Sequence, residues 1–216
     1  MVVSPAQLLS VNVGGVRTID TGGRTVTTAI WKSPVQERMP VSGVNLSGDD
    51  QADRTVHGGE HKAVYAYAWE DALWWQEELG RELEPGSFGE NLTLTGLDVA
   101  AAVVGERWRV GSVLLEVSEP RFPCFKLGLR MGDPRFVKRF AEARRTGTYL
   151  RIVEEGDVGA GDAIERVTRP AHAVTIGLFA EAYLGDHSLA SRLREAPALS
   201  PAWRQWAEGR LDHVTG

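Results

Sequence analysis

Arg107-Trp108-Arg109-Val110, then Gly111-Ser112, then Val113-Leu114-Leu115-Glu116-Val117 is the stretch that decides the fold reading. Two short runs rich in β-branched and aromatic residues flank a glycine-containing connection, the pattern of adjacent strands. A further run, Ala101–Val104, precedes Gly105. Short strands with closely spaced turn signals predict a barrel or a sandwich. Working outward, Tyr149–Val153 and Asp162–Val167 carry the same signal around Gly156, Gly159 and Gly161, and Leu92–Leu94 alternates after Phe88-Gly89-Glu90. Gln7–Val13 and Arg24–Trp31, separated by Asp20-Thr21-Gly22-Gly23, predict a hairpin or two neighbouring strands. Up to residue 167, helical period is confined to Trp69–Leu79, stopped by Gly80, and to Phe136, Val137, Phe140 and Ala141 after Asp133-Pro134. The expected class is therefore α+β.

A boundary is expected near Thr168-Arg169-Pro170, dividing a β domain (1–167) from a three-helix tail (168–216) over Val174–Leu184, Leu189–Arg194 and Pro201–Leu211. About 48 residues is small for an independent core, so the tail should dock on the β domain or on a second subunit of a homodimer. Its arginines 192, 194, 204 and 210 are offset by Glu181, Asp186, Glu195, Glu208 and Asp212. With a net charge of −5 for the chain, this gives no basic face for nucleic acid. The single cysteine among 216 residues cannot form an internal disulfide, which suits a reducing cytoplasm. No run approaches the roughly 20 apolar residues of a membrane span, so a cytoplasmic protein is expected.

That cysteine sits in Glu119-Pro120-Arg121-Phe122-Pro123-Cys124-Phe125-Lys126. Two prolines fix φ and withhold donors, which predicts a stiff loop rather than a helix interior or central strand. Arg121 and Lys126 bracket the thiol, and nearby cations favour the thiolate that attacks electrophiles and binds soft metals. The competing reading packs Cys124 as a small hydrophobe between Phe122 and Phe125.

A second informative block is His57-Gly58-Gly59-Glu60-His61-Lys62. Asp50, Asp53, His57 and His61 have helical spacing suited to a metal, but two adjacent glycines disfavour that helix. A loop whose amides, imidazole and ammonium face an anion fits better. Lys32, Asn91 and Arg151 each have a plain reading (strand end, turn closure, surface arginine) and a ligand-facing one.

The ordered motifs Lys32-x-Pro34-Val35, Gly48-Asp49-x-Gln51-Ala52-Asp53, His57-Gly58-Gly59-x-x-Lys62-Ala63-Val64-Tyr65, Phe88-Gly89-Glu90-Asn91-Leu92 and Pro120-Arg121-x-Pro123-Cys124 resemble a MOSC domain of the YiiM-like branch. The resemblance runs from about Ile30 to Val167, and the helical tail is similar to the small domain that follows the barrel in that branch. It implies a β-barrel holding a molybdenum cofactor (molybdopterin), with Cys124 as metal ligand, and a reductase of N-hydroxylated compounds such as hydroxylaminopurine-type bases. Lys32, His57, Gly58, Gly59, Lys62, Arg121 and Arg151 would then face the cofactor's anionic groups, with Asn91 on the heterocycle. Neither a cysteine cluster nor a Gly-x-Gly-x-x-Gly fingerprint is present, so electrons would come from an external flavin or iron–sulfur reductase. Nothing points to pyridoxal phosphate. Two alternatives stay open: a persulfide-carrying sulfurtransferase, and a non-catalytic module that binds the cofactor.

Overall fold

The computed structural model describes residues 5–52 and 58–210. The chain begins with β1 (Gln7–Val13), β2 (Arg17–Asp20), β3 (Thr25–Thr28), β4 (Ser33–Val35), β5 (Met39–Ser42) and β6 (Asn45–Leu46). A 3-10 turn over Glu60–Lys62 leads into β7 (Val64–Ala68), α1 (Trp69–Leu79) and β8 (Leu92–Thr95). Next come β9 (Arg107–Val110), β10 (Val113–Pro120), α2 (Phe125–Met131), α3 (Phe136–Ala143), β11 (Thr148–Glu154), β12 (Gly156–Val158) and β13 (Ile164–Thr168). The tail is α4 (Ile176–Leu184), a 3-10 segment over His187–Glu195, and α5 (Pro201–Gly209).

Eight strands form one sheet in the order β13-β9-β10-β11-β7-β8-β1-β4. All neighbours are antiparallel except β7 and β8, which α1 joins as a right-sized crossover for a parallel pair. The ends of the sheet meet. β1 pairs with β4 through Val11–Val13, and its first residues bond to the approach to β13: Leu8 N–H to Asp162 O at 2.8 Å, Gly161 N–H to Leu8 O at 2.8 Å, Ile164 N–H to Ala6 O at 2.9 Å. This closes the sheet into the expected barrel and leaves few unpaired edges. Its interior is filled by Leu8, Val11, Val64, Leu92, Trp108 and Leu150, each at most 1% exposed.

The tail packs on that core. Phe179, Leu193, Leu199 and Ala207 belong to the same apolar cluster as the barrel residues. Its two α-helices carry side-chain caps, with Thr175 accepting from Leu178 N–H and Ser200 from Trp203 N–H ahead of Pro201.

Four local expectations are corrected. The first hairpin pairs β2 with β3, and Gln7–Val13 instead pairs with β4 and β8, because Arg17–Asp20 supplies the nearer partner across the glycine turn. Ala101–Val104 is a turn region touching the tail through one bridge, Val103 to Thr175. Pro120 lies inside a central strand, tolerated because it is the last residue of β10. Finally, the cysteine segment is a loop only from Arg121 to Cys124: Cys124, in extended conformation, is the N-cap of a seven-residue helix that takes in Phe125 and Lys126.

Candidate functional site

A cleft opens where β7, β11 and the start of α2 face the loops around Ile30, Asp49 and Gly89. Cross-strand register builds its floor. Glu119 on β10, Tyr149 on β11 and Tyr65 on β7 stand directly opposite one another, which points the three side chains to one face. Tyr65 and Tyr149 line the cleft with their rings 5.3 Å apart. Burial holds both phenols protonated, raising Tyr149 to about 12.

Cys124 lines this cleft, partly exposed, beside Arg121 and Lys126. The position excludes a purely apolar packing role for the thiol. Arg121 is 5% exposed and its Nη1 has no hydrogen-bond partner among the described residues. A guanidinium is always charged and has no way to neutralise itself. Burial works against its charge and the facing tyrosines and thiol more than offset this, leaving its pKa raised. A buried guanidinium with a spare donor at a cleft wall is a site prepared for an anion.

The opposite wall is a buried polar network centred on Asp49. Its Oδ1 accepts from Gly14 N–H at 2.9 Å, while Oδ2 accepts from Lys32 Nζ at 2.6 Å and from Asn91 Nδ2 at 2.9 Å. Asn91 Oδ1 in turn accepts from Tyr65 N–H at 3.1 Å. Burial depresses the Lys32 pKa, opposed by Asp49. Lys32 and Asn91 both reach the cleft, but most of their hydrogen-bonding capacity is spent on this scaffold. Asp49 was legible only as part of a motif; the lysine and asparagine that need a shared acceptor are 17 and 42 residues away in sequence.

Lys62 reaches the cleft from the 3-10 turn, with Nζ 3.5 Å from Glu119. Gly59 precedes that turn at φ 88°, ψ −179°, a conformation open to glycine, and accepts from Lys62 N–H at 3.1 Å. Gly58 and Gly59 are thus turn-formers beside the cleft rather than part of its lining. His57 lies outside the described residues. Arg151 does not line the cleft: it pairs with Glu116 opposite it in register, contacts His61 Nδ1 at 3.0 Å and donates to Ala198 O at 3.1 Å. The structure therefore brings together Lys32, Lys62, Asn91, Arg121 and Cys124, and sends Arg151 elsewhere. Among the described residues four cations line the cleft (Lys32, Lys62, Arg121, Lys126) against two carboxylates (Asp49, Asp50), in a chain of net charge −5. Among the described residues no group of three or more His, Cys, Asp and Glu is placed to hold a metal ion.

The MOSC domain family matches residues 53–165. The chain belongs to the MOSC family. YflK of Bacillus subtilis, an uncharacterised protein, is 34% identical over 91% of this chain and 90% of its own length. A protein named Reductase from Gibberella moniliformis is 35% identical over 77% of this chain, which corresponds to 30% of that longer protein. The crystal structure of YiiM from Geobacillus stearothermophilus superposes with a TM-score of 0.79 at 32% identity, over 96% of this chain and all of that one. This is a YiiM-like MOSC protein, and among its described residues no helix is long and apolar enough to cross a membrane.

Proposed function

We propose that this MOSC protein is a molybdenum-cofactor-dependent reductase of N-hydroxylated compounds, hydroxylaminopurine-type bases among them, with Cys124 as the protein ligand to the metal. The observation that carries the reading is the shared cleft of a partly exposed thiol and a buried guanidinium with an unused donor. The donor set fits a phosphorylated, metal-bearing pterin. A thiolate suits a thiophilic metal, and Arg121, Lys62 and Lys126 suit a phosphate through charge-assisted hydrogen bonds.

When bound, such a cofactor supplies a metal that accepts two electrons and takes oxygen from nitrogen. The remaining work falls to the chain. Arg121 and Lys62 grip and orient the anionic end, and the Lys32–Asp49–Asn91 network keeps the facing wall rigid. Phe88, Ala29 and Ile30 give the cleft apolar surface that displaces water. Converting R–NHOH to R–NH2 and water consumes two electrons and two protons, and a separate flavin or iron–sulfur reductase supplies the electrons.

The test is the metal and pterin content of protein made in a host that synthesises the cofactor. Stoichiometric molybdenum in the wild type, lost in Cys124→Ser, together with hydroxylamine reduction by a chemical electron donor, is the expected result. Metal-free protein carrying an extra sulfur on Cys124 would replace this reading with a sulfur carrier, and tightly bound cofactor without turnover would leave a binding module.

A further inference from the structure

Two chains of contacts run from the C-terminal tail to the turn that presents Lys62. In the first, the Ala198 carbonyl accepts from Arg151 Nη2 at 3.1 Å, and Arg151 Nη1 lies 3.0 Å from His61 Nδ1. Arginine can only donate, so His61 Nδ1 must be the unprotonated acceptor. In the second, the Trp203 indole acts on the Glu119 carboxylate and helps to hold its charge, and that carboxylate is 3.5 Å from Lys62 Nζ. Both chains start between residues 198 and 203, and both end on the Glu60–Lys62 turn.

A break in strand alternation makes this convergence. The register of β10 on β11 slips between Val117 and Glu119, so Glu116 faces Arg151 and Glu119 faces Tyr149. Residues three apart in a regular strand point to opposite sides, whereas an inserted residue returns them to the same side. Glu116 and Glu119 consequently share one face with the turn and the tail. A third contact reaches the cysteine segment: Phe122 packs among Tyr183, Trp203 and Phe179, with ring centroids 4.3, 5.2 and 6.1 Å away.

We propose that Arg151, Glu119 and Trp203 are positioning residues through which the tail segment 198–203 fixes the Lys62 turn against the cleft. The inference rests on the reading that Lys62 grips the cofactor's anionic end. Among the described residues, the charged groups that act on the His61 ring are Arg151, in contact with its Nδ1, and Glu60, Lys62 and Glu116. Burial and Arg151 hold the His61 pKa below its ordinary value. Acidification that protonates His61 removes the acceptor and sets a cation against Arg151, which should release the turn.

The test uses full-length protein without cofactor and needs no turnover. Hydrogen exchange of residues 59–63, normalised to intrinsic rates, is measured beside pyrophosphate binding by calorimetry in wild type, Trp203→Phe, Arg151→Met and His61→Asn. Trp203→Phe keeps a ring and loses only the N–H. Each of the first two variants should speed exchange in the turn and weaken pyrophosphate binding, by about fivefold for Trp203→Phe, which removes one donor, and by more for Arg151→Met, which removes the Glu116 ion pair with the His61 and Ala198 contacts. Between neutral pH and about pH 5, the wild type should lose protection and affinity. His61→Asn, which keeps an acceptor near the Nδ1 position and does not titrate, should resist that loss. Unchanged exchange in both Trp203→Phe and Arg151→Met, or an identical acid response in wild type and His61→Asn, overturns the inference. Faster exchange with unaltered pyrophosphate affinity overturns the claim that the tail serves the cleft. Wild type that binds no pyrophosphate, with the exchange changes as expected, sinks the anion-gripping role of Lys62 and supports the tail-to-turn link.

Discussion

Asp49→Ala should be among the most damaging single substitutions in the chain, because a buried polar network converges on that carboxylate. Its side chain is 1% exposed, and that of Lys32 is 8% exposed. Removing the carboxylate therefore strands an ammonium and an amide where little water can replace their partner. Breaking a buried ion pair by deleting one member costs about 3–5 kcal/mol, a large share of the 5–15 kcal/mol of a typical domain. The sign of the pH dependence follows from Lys32. Burial already lowers its pKa and Asp49 is the main opposing influence, so the variant's folded-state pKa falls further below the unfolded value of about 10.4. Between those two values the unfolded chain binds more protons, so stability of Asp49→Ala should rise with pH through that window. Urea unfolding followed by circular dichroism, at pH 7 and near pH 9, measures both quantities. Adding Lys32→Met to Asp49→Ala should recover part of the loss by removing the stranded charge. A cost below about 1 kcal/mol at pH 7, or a double variant no more stable than Asp49→Ala, would refute the reasoning.

Arg121→Met should separate stability from binding: the guanidinium is buried with an unused Nη1, so the variant should lose at most about 1 kcal/mol, or gain stability, while molybdenum and pterin content fall, read by urea titration and metal analysis on one preparation. Gly86→Ala should destabilise by about 2 kcal/mol, because Gly86 has φ 86° and an added Cβ would stand 2.7 Å from the Lys32 carbonyl oxygen; a thermal shift under a degree would contradict this. Burial raises the Glu90 pKa, opposed by backbone donors from Gly86 and Phe88. A carboxyl with a raised folded-state pKa contributes stability that is present below its unfolded value and lost as pH rises through the folded one. The stability of wild type relative to Glu90→Gln should therefore fall between about pH 4.5 and neutrality, and a flat difference across that range would count against it.

Much was readable in order along the chain. Strand alternation, glycine punctuation and the Ser200-Pro201 cap are local signals, so the α+β class and the tail helices follow from spacing alone. The sulfur and its flanking cations are adjacent in sequence, and Cys124, Arg121 and Lys126 do line one cleft. What spacing does not carry is pairing between distant segments. Only closure of the barrel places Asn91 and Lys32 on the same Asp49 oxygen. Arg151 shares a strand face with Tyr149 and still does not line the cleft, because Glu116 stands opposite it and pairs with it while the tail carbonyl completes its hydrogen bonds. Sequence thus determined which chemical groups are available and which local conformations they adopt. Tertiary structure decided which charges neutralise one another and which, as with Arg121, are left facing the cleft, since electrostatic pairing depends on distance in space and on burial rather than on separation along the chain.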